Sequence, residues 1–349
     1  MDVKTSFLYP ELKETVYMTP PEGYSEFLPD HKPIPKMLKL LKCLYGLKQA
    51  PFEWYNHIDE FLRSAGLARS NQDHNLYLSL ESIVLLYVDD ILIFGRSLST
   101  VTALKKSLSV RYSMVDVGEA KQYLGMHIER DRDACMIYLN QTRYITKILE
   151  RFGMQHCKGI STHMEAAALP PCPTDPAKAI KHIEYQSKVG NVMYAMLGTR
   201  PDLAFAVSAL SKYNSCPITT HHSAMGRVLR YLQATKNTGI LYKRVSKISA
   251  MPEPICYTDS DWAGDRDKRQ STGGFVVVLC GGAVSWKTRK QDIVALSTTE
   301  VEYIALTEAS KEVIWMRRLL HEIKTRDIES HSTDIRQHHD DSTMQWELA

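Results

Sequence analysis

The longest apolar run in the sequence is interrupted by two adjacent acids. Residues 83–94 are hydrophobic except for Asp89 and Asp90 near their centre. Because β-branched and aromatic residues flank the acids, the pattern predicts two buried strands joined by a turn. Two unpaired carboxylates repel each other and are unfavourable among apolar side chains, so a divalent cation with oxygen ligands is their natural partner. The alternative is that Asp89 and Asp90 are ordinary turn residues.

The rest of the first 130 residues mixes short apolar runs with helical stretches. Apolar residues recur at helical spacing between residues 54 and 62, and one face carries Trp54, Ile58, Phe61 and Leu62. A proline-containing loop over residues 20–35 precedes this helix. The pattern indicates an α+β domain.

Residues 140–250 have a mainly helical pattern. Proline excludes a helix interior at Leu169–Pro173, so the pattern predicts a break there. A second proline cluster, residues 251–254, predicts a linker into another domain.

The segment after this linker predicts strands followed by a helix. The strands are expected at residues 255–258, 274–280 and 283–286. Ser297 and Glu300 have the spacing of a capping box, which predicts the start of the helix. From about residue 325 the chain is polar and irregular, and we expect disorder.

Composition constrains the function only weakly. The 349 residues are 44% hydrophobic and 24% charged, as in globular proteins of about two or three domains. A net charge of +3 and a pI near 8.3 permit nucleic-acid binding without indicating it. Seven scattered cysteines without a C-x-x-C pair argue against disulfides and structural zinc and favour a reducing, intracellular setting. No membrane span or signal peptide is predicted.

Short sequence blocks, taken in order, resemble the Pol polyprotein of copia-type LTR retrotransposons. They include Leu-Tyr-Gly-Leu-Lys-Gln-Ala-Pro at 44–51, Tyr-Val-Asp-Asp at 87–90 and Tyr-Thr-Asp-Ser-Asp-Trp-Ala-Gly-Asp at 257–265. Further blocks lie at residues 1–8, 123–126, 139–145, 198–203, 271–274 and 297–303. Together they cover the chain from Asp2 to about residue 323.

The resemblance implies an α+β reverse-transcriptase palm over residues 1–130 and a helical thumb and connection over residues 131–250. It also implies an incomplete α/β ribonuclease H-like domain over residues 251–324, followed by a disordered tail at 325–349. A fingers region before Asp2 and a later ribonuclease H aspartate have no counterpart in the sequence. We therefore expect a fragment truncated at both ends, with Met1 an internal residue of a longer polyprotein and with little or no activity in isolation.

The resemblance assigns the first acids to a two-metal polymerase site. Asp2 and Asp89 would hold both Mg²⁺ ions, with Mn²⁺ as a substitute, and Asp90 would complete the site on the primer side. On its own, Asp2 would be read as an exposed acid.

Five further residues would contact nucleotide or template by the same resemblance. The ring of Phe7 would lie under the incoming sugar and exclude a 2′-hydroxyl, which favours deoxynucleotides. The alternative for Phe7 is a core side chain. Tyr45, Gly46 and Gln49 would pack against the nascent base pair and template, with Gly46 allowing close backbone approach. Tyr87 beside the acids is assigned to the same group.

In the last domain, Asp259 and Glu302 match the first two metal ligands of a ribonuclease H core. Glu300 lies close to Glu302 in the sequence, but its capping-box spacing suits a structural role, so Glu302 is assigned as the ligand.

The partners implied are an RNA template, a DNA primer strand, deoxynucleotides, an RNA–DNA hybrid and other parts of the polyprotein, in a cytoplasmic particle or the nucleus. The alternative function is a non-catalytic remnant that binds nucleic acid through Lys287, Arg289 and Lys290.

Overall fold

The chain folds into two compact units. The computed structural model describes residues 1–29, 33–165, 169–172, 182–244, 252–265 and 268–328. The first unit contains Met1–Ala120 and the end of the last helix from His321, and the second contains Lys121–Leu320. The expected linker at 251–254 is described only from Pro252. The expected tail at 325–349 lies outside the described residues from 329 onward.

The first unit is built on a six-stranded sheet in which all neighbouring strands are antiparallel. The strand order is β4-β5-β6-β7-β1-β8. The strands are β1 (Asp2–Val3), β4 (Ala68–Arg69), β5 (Leu76–Leu78), β6 (Ser82–Tyr87), β7 (Asp90–Gly95) and β8 (Met114–Val115). A separate two-stranded sheet contains β2 (Tyr17–Met18) and β3 (Leu38–Lys39). Two 3₁₀ helices, Ser6–Leu8 and Tyr24–Phe27, complete this part of the chain together with α1 (Ala50–Ser64) and α2 (Leu98–Arg111).

One face of the six-stranded sheet is covered by α1 and α2. The predicted apolar face of α1 is confirmed, because Trp54, Ile58 and Leu62 are buried and Phe61 packs against the same core. The sheet contributes alternate residues to this core; they are Val3, Tyr77, Val84, Leu86 and Ile91. The intervening residues of β1, β6 and β7 therefore point to the opposite face, away from the helices.

The second unit begins with a four-stranded antiparallel sheet followed by a helical bundle. The strand order is β12-β11-β10-β9. The strands are β9 (Gln122–Tyr123), β10 (Met126–Asp131), β11 (Met136–Asn140) and β12 (Ile240–Lys243). The helices are α3 (Thr142–Arg151), α4 (His182–Gly198), α5 (Ala204–Ser211) and α6 (Thr219–Ala234), with a 3₁₀ turn at Pro201–Leu203. The mainly helical prediction for residues 140–250 missed β12. This strand is short, and its partner β11 lies about 100 positions earlier in the sequence, so no local pattern indicates the pairing.

Arg200, within the sequence block 198–203, is completely buried beneath the helices. Its guanidinium donates to both carboxylate oxygens of Asp202, at 2.9 and 2.7 Å, and to the carbonyl and hydroxyl oxygens of Thr235. The hydroxyl of Tyr231 donates to the same carboxylate at 2.8 Å. These hydrogen bonds to the charged groups compensate for burial of the cation and hold the Pro201–Leu203 turn against α6.

A three-stranded antiparallel sheet and a long helix form the last part of the second unit. The sheet order is β13-β14-β15, with β13 at Ile255–Ser260, β14 at Thr272–Leu279 and β15 at Gly282–Lys290. These strands confirm the predicted ones and extend further at several ends. Helix α7 (Thr298–Ile328) packs against one sheet face through a core that contains Cys256, Val277, Ala309, Val313 and Met316.

The start of α7 confirms the predicted role of Ser297, with one difference in the capping box. The hydroxyl of Ser297 accepts from the Glu300 backbone N–H at 3.2 Å. The Glu300 carboxylate reaches back to the backbone N–H of Leu296 at 2.7 Å, rather than to that of Ser297. Glu300 is thus engaged in the cap.

One disulfide corrects the expectation drawn from the cysteines. Cys172 and Cys216 are bonded, with their Cα atoms 5.6 Å apart. They are separated by 44 positions and show no spacing signature, so the sequence alone did not pair them. The ring of His221 also binds this segment, since its Nε2 lies 2.8 Å from the Pro170 carbonyl. No helix among the described residues is long and apolar enough to cross a bilayer.

We expect Cys216→Ser to destabilise the second unit. Loss of a cross-link that closes a loop of this length lowers the free energy of unfolding by about 2–4 kcal/mol. Denaturant unfolding without reductant, followed by circular dichroism, measures the change. Cys135→Ser, which removes an exposed free thiol, is the control. A Cys216→Ser curve that coincides with the oxidised wild-type curve would contradict the expectation.

Candidate functional site

The two acids in the apolar run lie at the tip of a β-hairpin, as predicted. Strands β6 and β7 pair in register up to Tyr87 and Asp90, which leaves Val88 and Asp89 as a two-residue turn. Val88 has φ of 58°. This left-handed conformation suits glycine or asparagine in such turns and is strained for a β-branched residue, by roughly 1–3 kcal/mol. The turn that carries Asp89 is therefore held by contacts outside itself.

Pairing of β1 with β7 brings the third acid to the same place. Asp2 lies directly opposite Asp90 on the neighbouring strand. The backbone N–H of Val3 donates to the Asp89 carbonyl at 2.9 Å, and the Ile91 N–H donates to the Met1 carbonyl at 2.8 Å. Since directly opposed residues point to the same sheet face, Asp2 and Asp90 share the face that the helices leave uncovered.

The charge at this site is unbalanced. Burial raises the pKa of the Asp90 carboxyl above its usual value, and the negative charges of Asp89 and Asp2 raise it further, while the amino group of Met1 acts in the opposite direction. In the described part of the chain, no lysine or arginine forms an ion pair with any of the three aspartates. A cation bound here would relieve a repulsion that the protein itself leaves in place.

The aspartates are neighbours along the backbone, but their side chains do not form a finished metal cage. Across the described ranges, no three His, Cys, Asp or Glu side chains are close enough together to hold one metal ion. Asp2 is exposed, and Asp89 and Asp90 are partly buried. The donor set consists of the hard carboxylate oxygens that Mg²⁺ and Mn²⁺ prefer.

Two of the residues assigned to nucleotide binding are in contact. The Phe7 ring meets the edge of the Tyr45 ring with their centroids 4.9 Å apart. Phe7 is partly buried against the core of the first unit. The alternative that Phe7 is a core side chain therefore holds for part of its surface. Tyr45 is 55% exposed.

The remaining residues of that group are arranged differently. Gly46 has φ of +94°, and no atom would meet a side chain there, so the backbone is open to a ligand. Tyr87 is exposed beside the acidic turn. Gln49, just before α1, donates through its amide nitrogen to the Glu14 carboxylate. That contact occupies a group that we expected to face the template.

Sequence reasoning treated Trp54 only as part of an apolar helix face. Its indole N–H also donates to the Val88 carbonyl at 2.6 Å. The indole N–H of a buried tryptophan needs a hydrogen-bond acceptor. The sequence therefore indicated that Trp54 has such a partner, without showing which residue it is. The partner itself is 34 positions away and is set by the tertiary fold.

Asp259 and Glu302 lie at the same end of the second unit's last sheet but on different elements. Asp259 is on β13 and pairs with Gly274. Its neighbours Cys256 and Thr258 are buried, and Cys256 belongs to the core formed with α7. Alternation therefore directs Asp259 to the other sheet face, whereas Glu302 is in the first turns of α7. The described structure brings these two residues to one end of the sheet without placing them on one face.

A groove of ≈ 410 Å³ is formed by the face that carries Asp259 together with α5. Two aromatic side chains in its wall are substantially exposed, Phe205 at 49% and Tyr257 at 39%.

The basic residues of β15 are all engaged with acids. Lys287 pairs with Glu308 at 3.2 Å and Arg289 pairs with Asp292 at 2.9 Å. Lys290 pairs with Asp265. Because each cation already has an anionic partner, this strand offers less positive charge to nucleic acid than its sequence suggests.

Comparisons with known proteins agree with the arrangement of the first unit. The family model for reverse transcriptase (RNA-dependent DNA polymerase) matches residues 1–166. A retrovirus-related Pol polyprotein from transposon TNT 1-94 of Nicotiana tabacum is 41% identical over 336 residues, which cover 93% of this chain and 24% of the relative. The Pol polyprotein from transposon RE1 of Arabidopsis thaliana is 37% identical over 93% of this chain and 22% of its own length.

The chain thus spans about a quarter of these two polyproteins. A putative transposon Ty5-1 protein of Saccharomyces cerevisiae is 31% identical, and the alignment covers 90% of this chain and all of the yeast protein. The chain belongs to the family of copia-type retrotransposon Pol polyproteins and contains its reverse transcriptase region.

Proposed function

We propose that the first unit is the palm of an RNA-directed DNA polymerase and that Asp2, Asp89 and Asp90 are its catalytic carboxylates. In this reaction the 3′-hydroxyl oxygen of a DNA primer bonds to the α-phosphorus of a deoxynucleotide, and pyrophosphate leaves. The observation that carries the proposal is the register of β1 and β7, which sets Asp2 opposite Asp90 beside the Asp89 turn. Asp2 and Asp90 are far apart in sequence, so only the tertiary fold brings them together.

Divalent cations, Mg²⁺ or Mn²⁺, fit this site because its donors are carboxylates that repel one another and that, among the described residues, form no ion pair with a lysine or arginine. Asp2 and Asp89 would hold two ions, with Asp90 completing the primer-side site. Bound there, the ions would lower the pKa of the primer hydroxyl and neutralise charge on the triphosphate. The chain supplies the geometry for this through its backbone, since the sheet fixes Asp2 and Asp90 and the turn fixes Asp89.

The surfaces beside the acids suit the proposed substrates. The contact between Phe7 and Tyr45 forms an aromatic surface for a base and sugar, and the bulk of Phe7 would favour a deoxynucleotide. Gly46 leaves the backbone open, and Tyr87 is exposed at the end of β6. An RNA template and a DNA primer are the partners proposed for this surface, with other segments of the polyprotein completing the grip.

For the second unit we propose a ribonuclease H-like function for residues 251–324, with thumb and connection roles for residues 131–250. Three antiparallel strands followed by a helix support this, as does the position of Asp259 in a groove with exposed aromatic side chains. An RNA–DNA hybrid is the proposed substrate. Asp259 and Glu302 are the proposed metal ligands, and they would act together if an ion bound at the sheet end where both lie.

The alternative of a non-catalytic nucleic-acid-binding remnant has less support. It depended on Lys287, Arg289 and Lys290, which the structure pairs with Glu308, Asp292 and Asp265. No observation at these residues favours the remnant over the polymerase.

We expect Asp89→Asn to abolish primer extension. The wild-type chain is incubated with an RNA template, a labelled DNA primer, deoxynucleotides and Mn²⁺, and extended primer is separated on a gel. Loss of a central carboxylate lowers the rate by about 10³-fold or more. Glu81→Gln, which removes an exposed carboxylate before the other end of β6, is the matched control and retains the wild-type rate. The isolated chain is expected to extend a primer weakly or not at all, because it spans about a quarter of its relatives, so extension by Asp89→Asn at a measurable wild-type rate is the outcome that would contradict the assignment.

Asp90→Asn should raise the melting temperature of the metal-free protein. Because the pKa of Asp90 is raised in the folded state, its ionisation destabilises the fold fully above the folded pKa and not at all below the unfolded pKa. The melting temperature of Asp90→Asn should therefore exceed that of the wild type by roughly 2 °C at about pH 7 and equal it at about pH 3. Mn²⁺ should then stabilise the wild type more than the variant. Differential scanning calorimetry measures both effects, and an equal gain at both pH values would exclude this cause.

Asp259→Asn should remove cleavage of an RNA–DNA hybrid and leave primer extension unchanged. A loss of about 100-fold or more is expected for a metal-ligating carboxylate. The assay follows a hybrid with a labelled RNA strand in Mn²⁺. Asp292→Asn, which removes an exposed carboxylate near the same end of the sheet, should cleave as the wild type does. Undiminished cleavage by Asp259→Asn would refute the assignment.

A further inference from the structure

The indole of Trp54 is joined to the turn that carries Asp89. Its N–H donates to the Val88 carbonyl at 2.6 Å, and the side chain is only 2% exposed. Trp54 is on α1, and the turn belongs to the β6–β7 hairpin, so this hydrogen bond connects a helix under the sheet to the tip of the acidic hairpin.

This hydrogen bond acts on the peptide unit that orients Asp89. A peptide bond is planar, so fixing the Val88 carbonyl also fixes the N–H and Cα of the next residue. The carbonyl of Asp89 is held on its other side by the Val3 N–H at 2.9 Å. Asp89 is thus fixed through the backbone before and after it, by Trp54 and by β1.

The turn needs such an anchor because Val88 is in the left-handed region, with φ of 58°. A β-branched residue leaves that conformation unless its surroundings impose it. Removing the Trp54 hydrogen bond would allow the peptide between Val88 and Asp89 to rotate.

The indole itself has little freedom to follow the turn. Three rings surround it: Tyr112 packs edge-on with centroids 5.4 Å apart, and Tyr9 and His57 lie at 6.1 and 6.3 Å. The donor therefore has a fixed direction, and the turn must fit it.

We propose that Trp54 is a positioning residue of the acidic site, which holds the Val88–Asp89 peptide, and with it the Asp89 carboxylate, in the conformation that binds a divalent cation. This role rests on the proposed function of the aspartates. Trp54 itself touches neither the ion nor a substrate in this proposal.

The test measures Mn²⁺ binding, which needs no turnover. Free Mn²⁺ is followed by electron paramagnetic resonance while the full chain is titrated with the ion, and every protein compared carries Asp259→Asn to weaken the second proposed metal site. Trp54→Phe keeps an aromatic ring and removes the N–H, and its Mn²⁺ affinity is expected to fall by about 10–100-fold, as for other residues that orient metal ligands. Tyr112→Phe is the matched control, because it removes a hydroxyl from the same ring cluster and leaves the hairpin untouched. Its Mn²⁺ affinity should stay at the wild-type value.

A smaller ring could also loosen the core, so a second replacement separates packing from hydrogen bonding. Trp54 is replaced by benzothienylalanine, which has nearly the shape of tryptophan with sulfur in place of the N–H. The same loss of Mn²⁺ affinity is expected, with a melting temperature close to that of the wild type.

Coupling to Val88 tests the mechanism directly. In Val88→Gly the turn adopts positive φ without strain, so it depends less on the anchor. The loss caused by Trp54→Phe should therefore be several-fold smaller in the Val88→Gly background than in the wild type. Equal losses in the two backgrounds would refute the positioning role.

Two results distinguish failure of this inference from failure of the proposed function. If Asp89→Asn binds Mn²⁺ as tightly as the wild type, the aspartates are not the metal site, and both proposals fall. If Asp89→Asn loses affinity and the benzothienylalanine variant does not, the metal site stands and only the role of Trp54 is overturned.

Discussion

The antiparallel pairing of β1 with β7 is the constraint on which the acidic site depends. It places Asp2 against Asp90, where like charges repel, and the pairing survives because Val3 and Ile91 on the other face are 1% and 2% exposed. Burial of two such side chains stabilises the register by about 3–6 kcal/mol. The repulsion between carboxylates on the solvent-facing side of the sheet is screened by water and is smaller than this gain. Hydrophobic burial on one sheet face therefore holds together an acidic cluster on the other.

The same division of faces explains why the site is rigid on one side and open on the other. Helix α1 supplies the core beneath the sheet and the indole donor that meets the strained turn. The opposite face carries Tyr87, Asp90 and Asp2 and points away from α1 and α2. Binding of an ion or a nucleic acid would thus use the uncovered face, while the covered face sets the positions of the ligands.

Local patterns predicted the local structure of this chain well. The acidic hairpin, the apolar face of α1 and the Ser297 cap follow from residues close together in sequence. The meeting of Asp2 with Asp90, the Cys172–Cys216 bond and the contact between Trp54 and Val88 do not, because each joins distant segments. The resemblance to known polyproteins supplied the first of these and neither of the others. Charge patterning at Lys287, Arg289 and Lys290 did not reveal their ion pairs, because a sequence does not show which acids lie near a strand.

Strand β1 consists of only two residues, yet it carries one of the three acids. Few hydrogen bonds hold so short a strand, and local opening of such elements takes less free energy than global unfolding. The acidic cluster can therefore come apart by the release of β1, which also frees β8, while β4 to β7 stay paired. On warming, the three acids would separate before the secondary structure is lost, so this two-residue strand would set the temperature up to which they stay together.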